Sequence, residues 1–317
     1  MTGNREWTAN WIWDSNASQA DTWMCFRKTF ACEDIKAPAA AYISVDSKYR
    51  LWINGKPVVI DGGLCRGPKE NAGYYDTVDL SGYLVSGLNT VAVLVWYWGN
   101  GGRNNVDSGH GGFLFDLEVN GNHLASDGTW KVKRHPAYCK TDPPYPSYLY
   151  GGHNIGFDAR ADFPDFYKHS FNDEAWEDAA VLGSPPAMPW GELFERPIPL
   201  TKDFGVLNYT EVICSENGED KIITASLPHA AHINPVFSVN ANREGLKIDI
   251  RTDRYLVNGG PGDSKKYNSH RTEYITKKGV QQFESPDWLF GEKVIYTFQS
   301  GIDVIDVQYR ETGYNTE

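Results

Sequence analysis

The segment from Tyr42 to Gly99 decides the fold of this chain. It begins YISVDSKYRLWINGKPVVIDGG (residues 42–63) and, after a loop, continues YYDTVDLSGYLVSGLNTVAVLVWYWG (residues 74–99). Apolar residues alternate with polar ones in the first part, with the period of a half-buried strand. Asn54-Gly55 predicts a two-residue type I′ hairpin turn, because that turn needs positive φ at both central residues. The unbroken apolar run Val91–Trp96 is typical of a strand buried on both faces.

Short strand-like segments separated by turns continue through all 317 residues. Residues 184–200, SPPAMPWGELFERPIPL, are dense in proline, which favours extended or turn backbone and removes hydrogen-bond donors. We therefore place a domain boundary there, with the last strand of the first domain passing through it. The sequence predicts an all-β chain with a larger domain at 1–200 and a second, smaller β-sandwich at 201–317.

Composition excludes several classes of function. The net charge is −11 and the aromatic content is 14%. An acidic chain is a poor partner for nucleic acid or anionic membranes, which select basic patches. The aromatic residues suit both sandwich cores and stacking on sugar rings. No apolar run approaches the roughly 20 residues of a membrane helix, so no membrane span is expected.

The five cysteines are odd in number and scattered, and none forms a CxxC pair. We predict free buried thiols and no metal site, with a Cys25–Cys32 disulfide as the open alternative. The N-terminus MTGNREWTANWIWDS lacks the apolar core of a signal peptide. Localisation stays open between the cytoplasm and export to the periplasm or cell surface with a leader already removed; export is favoured.

The order of several motifs resembles the N-terminal region of bacterial α-L-rhamnosidases, which are glycoside hydrolases. The opening FRKTF (residues 26–30), then YRLWINGKPV (49–58) and YYDTVDLSGYLVSGLNTVAVLVWYWG resemble its galactose-binding-like jelly-roll domain. GFDAR (156–160) and FNDEAW (171–176) resemble further segments of that jelly roll, and TEYITKKG (272–279) and VQYRETGY (307–314) resemble the β-sandwich that follows it. The resemblance covers nearly the whole chain.

In that family the next element is a helical (α/α) barrel that carries the catalytic acids. This sequence has no helical periodicity on the scale of a barrel, so no catalytic residue is carried over. The resemblance implies a non-catalytic accessory region that supports the barrel and contacts rhamnose-containing, plant-type or microbial glycan. This chain alone is expected to be inactive. Two alternatives stay open: an autonomous carbohydrate-binding protein, and a hydrolase with an unrecognised site in the jelly-roll loops.

The loop YWGNGGRNNVDSGH (residues 97–110) is the candidate sugar-contact site. It joins two strands at one end of the predicted jelly roll and combines aromatic rings with planar polar groups, the mixture that sugar sites use. We expect no cofactor. A structural calcium ion bound through Asn104, Asn105 and Asp107 is an alternative, because hard cations prefer oxygen ligands. The candidate carbohydrate-binding residues are Tyr97, Trp98, Asn100, Arg103, Asn104, Asn105, Asp107 and His110.

Overall fold

The computed structural model describes residues 5–16, 19–33, 38–63, 67–100, 106–120, 122–141, 154–255 and 270–314. The chain divides into two compact units, one formed by 1–135 with 163–200 and the other by 136–162 with 201–317. Apart from 3₁₀ turns at Ala159–Ala161 and Asp253–Tyr255, the regular structure in these ranges is β-strand. The all-β class predicted from the sequence is therefore confirmed.

The first unit is a sandwich of two sheets. The first sheet has the order β14 (Ala180–Gly183), β1 (Trp11–Trp13), β8 (Gly112–Val119), β3 (Ala40–Asp46), β6 (Ala72–Asp79) and β15 (Glu192–Glu195), with β9 (Asn122–Ala125) beside β8. The second has the order β13 (Glu177–Asp178), β10 (Lys131–Arg134), β2 (Thr22–Cys32), β7 (Gly87–Tyr97), β4 (Lys48–Ile53) and β5 (Lys56–Gly62).

The two strongest local signals of the sequence appear as predicted. Asn54 and Gly55 have φ angles of 52° and 79° and connect β4 to β5, so the Asn-Gly hairpin is confirmed. Strand β7 lies between β2 and β4, and every residue from Asn89 to Tyr97 is buried. Strand β15 passes through the proline-dense segment and pairs in parallel with β6, which confirms the strand expected there.

Alternation along β3 sorts its side chains onto two faces of the first sheet. Ile43 and Val45 point into the main core, where Phe26 and Phe113 from opposite sheets approach to 4.7 Å between ring centroids. Ser44 and Asp46 therefore lie on the opposite face of the strand, yet both are buried. A second apolar cluster covers that outer face; its buried members are Ala9, Trp11, Tyr75, Leu114, Trp190 and Leu193.

Arg27, on β2 of the second sheet, attaches the segment after residue 163 to that sheet. Its side chain is 1% exposed, and Nε donates to Oδ2 of Asp173 at 2.7 Å. The same guanidinium donates to the backbone carbonyls of Phe166, Lys168 and Phe171. A buried charge is tolerated when every donor finds an acceptor in this way, so this residue fixes the return of the chain to the first unit.

The second unit is built on one ten-stranded sheet. Its path is β11 (Tyr138–Cys139), β12 (Ile155–Asp158), β20 (Thr272–Ile275), β19 (Lys247–Thr252), β22 (Leu289–Phe298), β18 (Asp220–Ala241), β23 (Ile302–Tyr314) and β16 (Thr201–Asn208), with β17 (Glu211–Asn217) and β21 (Gly279–Glu284) paired to β18. Strand β18 has 22 residues, pairs with β17 through its first part and pairs with β21 and β23 through its second.

Strand β12 joins this sheet across a long stretch of sequence. It pairs in parallel with β20, and the ring of Phe157 lies 5.7 Å from Tyr274 and 4.9 Å from Phe283. Residues 136–162 thus belong to the second unit. The domain limits 1–200 and 201–317 stay a prediction, and the two units differ from them in this segment.

No disulfide joins the four described cysteines to one another. Cys25 and Cys32 are buried as predicted, whereas Cys139 and Cys214 lie in short or outer strands and are exposed, so the prediction of buried thiols is wrong for these two. Cys25 and Cys32 lie seven residues apart on β2, which separates their Cα atoms by about 23 Å at the rise of a strand. A disulfide spans only about 4.4–6.8 Å between Cα atoms, so the Cys25–Cys32 alternative is wrong. Within the described ranges, no helix has the length and apolarity that crossing a lipid bilayer requires.

Candidate functional site

Tyr97, at the start of the candidate loop, is a core residue. Its ring is 2% exposed and packs edge-on against Trp13 at 6.2 Å. Its hydroxyl reaches the loop and donates to Oδ1 of Asp107 at 3.2 Å. A sugar ring cannot stack on Tyr97 without displacing Trp13, so this residue braces the loop from below.

Trp98 and Asn100 directly follow the end of β7, a place called here the Trp98 corner, and are half-buried. The Trp98 indole packs edge-on against Trp96 at 5.5 Å, and the ammonium of Lys48 lies 6.0 Å from its centroid. The backbone N–H of Trp98 donates to Oγ of Ser47 at 3.1 Å. These contacts hold the ring in place and leave part of it accessible.

Arg103, Asn104 and Asn105 lie outside the described residues, and the calcium alternative that used two of them stays a prediction. No group of three or more His, Cys, Asp or Glu side chains suited to a metal ion occurs among the described residues. The loop can therefore be described through its two ends, at Tyr97–Asn100 and at Val106–His110.

A pocket of about 560 Å³ opens on the outer face of the first sheet of the first unit. Its lining comes from the end of β3, from the chain entering β6 together with the adjoining turn before β15, and from residues 106–108, which precede β8 on the other side of β3. Of the described candidate residues, only Asp107 lines it. The lining residues are Trp11, Ser44, Val45, Asp46, Gly67, Lys69, Glu70, Asn71, Ala72, Gly73, Tyr74, Val106, Asp107, Ser108, Pro189, Trp190 and Leu193.

Two stacked indoles form the apolar wall of this pocket. Trp190 lies 4.4 Å from Trp11 with the ring planes 17° apart, and His110 packs edge-on against Trp190 at 5.7 Å. Gly112 sits beneath the pair, where a Cβ atom would come within 2.6 Å of the Trp190 ring. The wall is therefore fixed before any ligand arrives, and His110 contributes as a packing partner of Trp190 rather than as a lining residue.

Two carboxylates of different environment face this pocket. Asp46 is buried, and burial raises the pKa of its carboxyl above the usual value, with nearby Asp107 as a smaller contribution in the same direction. Its oxygens accept from Oγ of Ser47 at 2.9 Å and from the backbone N–H of Ser108 at 3.2 Å. Asp46 thus holds the loop that carries Asp107.

Asp107 presents an unused acceptor. Its hydrogen bonds within the described residues, from the Tyr97 hydroxyl and from the N–H of Gly109 at 2.9 Å, both fall on Oδ1. Oδ2 therefore has the capacity to accept from a ligand. Because both hydrogen bonds fall on Oδ1, they fix the orientation of the carboxylate group and with it the direction of Oδ2.

The opposite rim adds further polar groups. The Asn71 amide and the Tyr74 hydroxyl have no hydrogen-bond partner in the described part of the chain, and Asn71 has a φ of 54°. The ammonium of Lys69 is paired with Glu192 beside the pocket. The carboxylates of Asp46, Glu70 and Asp107 make the described lining rich in hydrogen-bond acceptors. Its one lysine, Lys69, is paired.

The sequence analysis missed most of this pocket because its residues come from five distant segments. One usable signal was the alternation in β3, which places Ser44 and Asp46 on a common face with Tyr42. Another was Trp190-Gly191 within the proline-dense segment: Gly191 has a φ of 65°, and a Cβ atom there would lie 1.9 Å from the carbonyl oxygen of Asn71. Because any other residue at position 191 would clash with Asn71, the backbone there is fixed, and with it the position of the neighbouring Trp190 ring.

Residues 35–198 match the family model described as the α-L-rhamnosidase N-terminal domain. The chain belongs to this family. The matched range covers strands β3 to β15, and so includes both rims of the pocket. Among curated proteins, none matches this chain significantly in sequence.

Solved structures of rhamnosidases share the fold of this chain. The GH78 family rhamnosidase of Bacillus sp. GL1 has a TM-score of 0.82 at 16% identity over 99% of this chain. The α-L-rhamnosidase of Dictyoglomus thermophilum has 0.72 at 19% over 98%, and that of Streptomyces avermitilis, complexed with L-rhamnose, has 0.67 at 17% over 93%. The chain spans 56%, 36% and 29% of those three proteins, about half of their length or less.

Proposed function

We propose that this chain is the non-catalytic N-terminal region of an α-L-rhamnosidase-like glycoside hydrolase. The observation that carries the proposal is the joint coverage: a family match over residues 35–198 and a fold likeness over 99% of the chain that spans 56% of a rhamnosidase. The region supports a catalytic (α/α) barrel of the same protein, and it contacts rhamnose-containing glycan through the jelly-roll loops. The polar pocket around Asp107 supports the glycan contact.

Turnover assays test the non-catalytic role directly. We expect the purified 317-residue chain to hydrolyse an aryl α-L-rhamnoside no faster than buffer, whereas a longer protein in which the barrel follows should hydrolyse it. General acid and base groups each contribute about 10²–10⁴-fold to such a rate. A separate titration of the 317-residue chain with L-rhamnose, the sugar found with the Streptomyces enzyme, tests the glycan contact.

One observation favours a second candidate, a hydrolase whose site lies in the jelly-roll loops. Asp46 and Asp107 line one pocket, burial raises the pKa of the Asp46 carboxyl, and glycoside hydrolases use a pair of carboxyl groups as acid and base. Turnover by the isolated chain that is abolished by Asp107→Asn would establish this candidate and overturn the accessory role.

A further inference from the structure

Two places in the first unit compete as the sugar-contact site. One is the Trp98 corner of the second sheet, with Asn100 nearby; the other is the pocket on the first sheet, which shares only Asp107 with the candidate loop. The pocket is concave, and its volume falls within the range of about 300–1,000 Å³ that holds small ligands. The corner offers a single ring and no comparable depth among the described residues.

The charge of the pocket restricts its ligand. Three acidic residues line it, and Lys69, the one lysine among its described lining residues, is paired with Glu192. Anionic ligands such as uronates or phosphates would meet these carboxylates, and the described lining holds no unpaired cation to offset the repulsion. An acceptor-rich wall instead fits a ligand that donates several hydrogen bonds.

The shape of the pocket adds a second restriction. Trp190 and Leu193, each 7% exposed, and Val106, which is 54% exposed, give one side an apolar surface of limited area, while Asp107 and Asn71 lie among the polar groups around it. A hydroxyl-rich ring with an apolar face fits both surfaces at once. Trp190 is held by Trp11 and His110, so its side chain loses little conformational entropy when a ring packs against it.

We propose that this pocket, rather than the Trp98 corner, binds a neutral sugar residue, which packs on the Trp190 wall and donates hydroxyl hydrogen bonds to Asp107 with Asn71 on the opposite rim. The inference rests on the proposed glycan contact and names its place. Asp46 is a positioning residue, since it holds Ser108 and through it the loop that carries Asp107.

Calorimetric titration of the full 317-residue chain tests the proposal. The probes are L-rhamnose, D-galactose and D-glucose as neutral sugars, D-glucuronate as an anion and D-glucosamine as a cation. We expect one neutral sugar to bind most tightly. Asp107→Asn should weaken that binding by roughly tenfold or more, the effect of losing a hydrogen bond to a charged group, and Asn71→Gly should weaken it while keeping the positive φ of the turn.

Matched variants separate the pocket from the corner and from loss of structure. Asp127 accepts the N–H of Thr129 at 2.8 Å as Asp107 accepts that of Gly109, but it lies outside the pocket lining, so Asp127→Asn should leave affinity unchanged. Trp98→Ala should also leave it unchanged. In a ¹⁵N-labelled chain, the indole N–H signal assigned through Trp190→Phe should shift on titration.

Each outcome decides between the two levels of the proposal. If no sugar binds, both the glycan contact and the pocket are wrong. If a neutral sugar binds and only Trp98→Ala weakens it by tenfold, the glycan contact stands and the pocket inference is wrong. Preferential binding of D-glucuronate or D-glucosamine would also overturn it, because the pocket would then select charge.

Discussion

At the scale of single residues, His135 shows what burial does to a titratable group. Its ring is 5% exposed and lies 4.3 Å from the ring of Phe163. Burial lowers its pKa from 6.5 to about 4, because the charged imidazolium loses its hydration. Between these two values the unfolded chain takes up a proton that the folded chain does not, so the contribution of this residue to stability falls as the pH falls from about 6.5 to 4.

Replacing His135 by Phe should remove this dependence. The free energy of unfolding of the unaltered chain, relative to that of the variant, should drop by up to about 3 kcal/mol between pH 7 and pH 4, and should change no further below that. Urea unfolding at a series of pH values measures this difference, in which the carboxylate titrations cancel. An equal slope in the two proteins would contradict the prediction.

At the scale of elements, the Asn54-Gly55 turn does more than reverse the chain. The Asn54 amide donates to the carbonyl of Tyr83 at 3.0 Å and to Oδ1 of Asn89 at 2.8 Å, and it accepts from the N–H of Thr90 at 2.9 Å. The β4–β5 hairpin is thereby fastened to the chain that enters β7. The side chain and the backbone conformation at this position both stabilise the sheet.

Two substitutions at Asn54 separate these contributions. Asn54→Gly keeps the positive φ and loses the side-chain hydrogen bonds, which should lower the free energy of unfolding by about 2 kcal/mol. Asn54→Ala adds the strain of a left-handed conformation, a further ~1 kcal/mol or more. Denaturant unfolding of the two variants measures both terms. Identical stabilities would show that the backbone conformation contributes nothing there.

Local signals explain which elements could be predicted. The turn at Asn54 and strand β7 are encoded within a few adjacent residues, so both could be identified from the sequence. The pocket could not, because Asp46, Asn71, Asp107 and Trp190 converge only after strands distant in sequence have paired. Tyr97 was nominated for a sugar by its residue type, yet its place in the alternation of β7 turns its ring into the core.

At the scale of the whole molecule, the two units are not continuous in sequence. Residues 136–162 supply β12 to the second unit, so a fragment 201–317 lacks the strand that covers the β20 edge. An uncovered edge exposes backbone donors and acceptors that promote association between chains.

We expect fragment 201–317 to unfold without cooperativity or to aggregate. The matched control joins residues 136–162 to 201–317 through a flexible Gly/Ser linker, and this version should be monomeric and unfold cooperatively. Sedimentation and thermal unfolding distinguish the two. A monomeric, cooperative fragment 201–317 would instead support the boundary predicted from the sequence, at residue 200.

The pairing of β12 with β20 also means that an early strand must wait during synthesis for a partner that is made much later. A ribosome that adds about 5–20 residues per second completes β12 on the order of ten seconds before β20 emerges, since about a hundred residues separate them. During that interval Ile155 and Phe157, buried in the finished protein, lack their partners on β20, while the first unit, whose chain lies on both sides of them in sequence, is still being completed. The yield of native protein in a cell therefore depends on the pace of translation and on chaperones that shield nascent chains, as well as on the stability of the final fold.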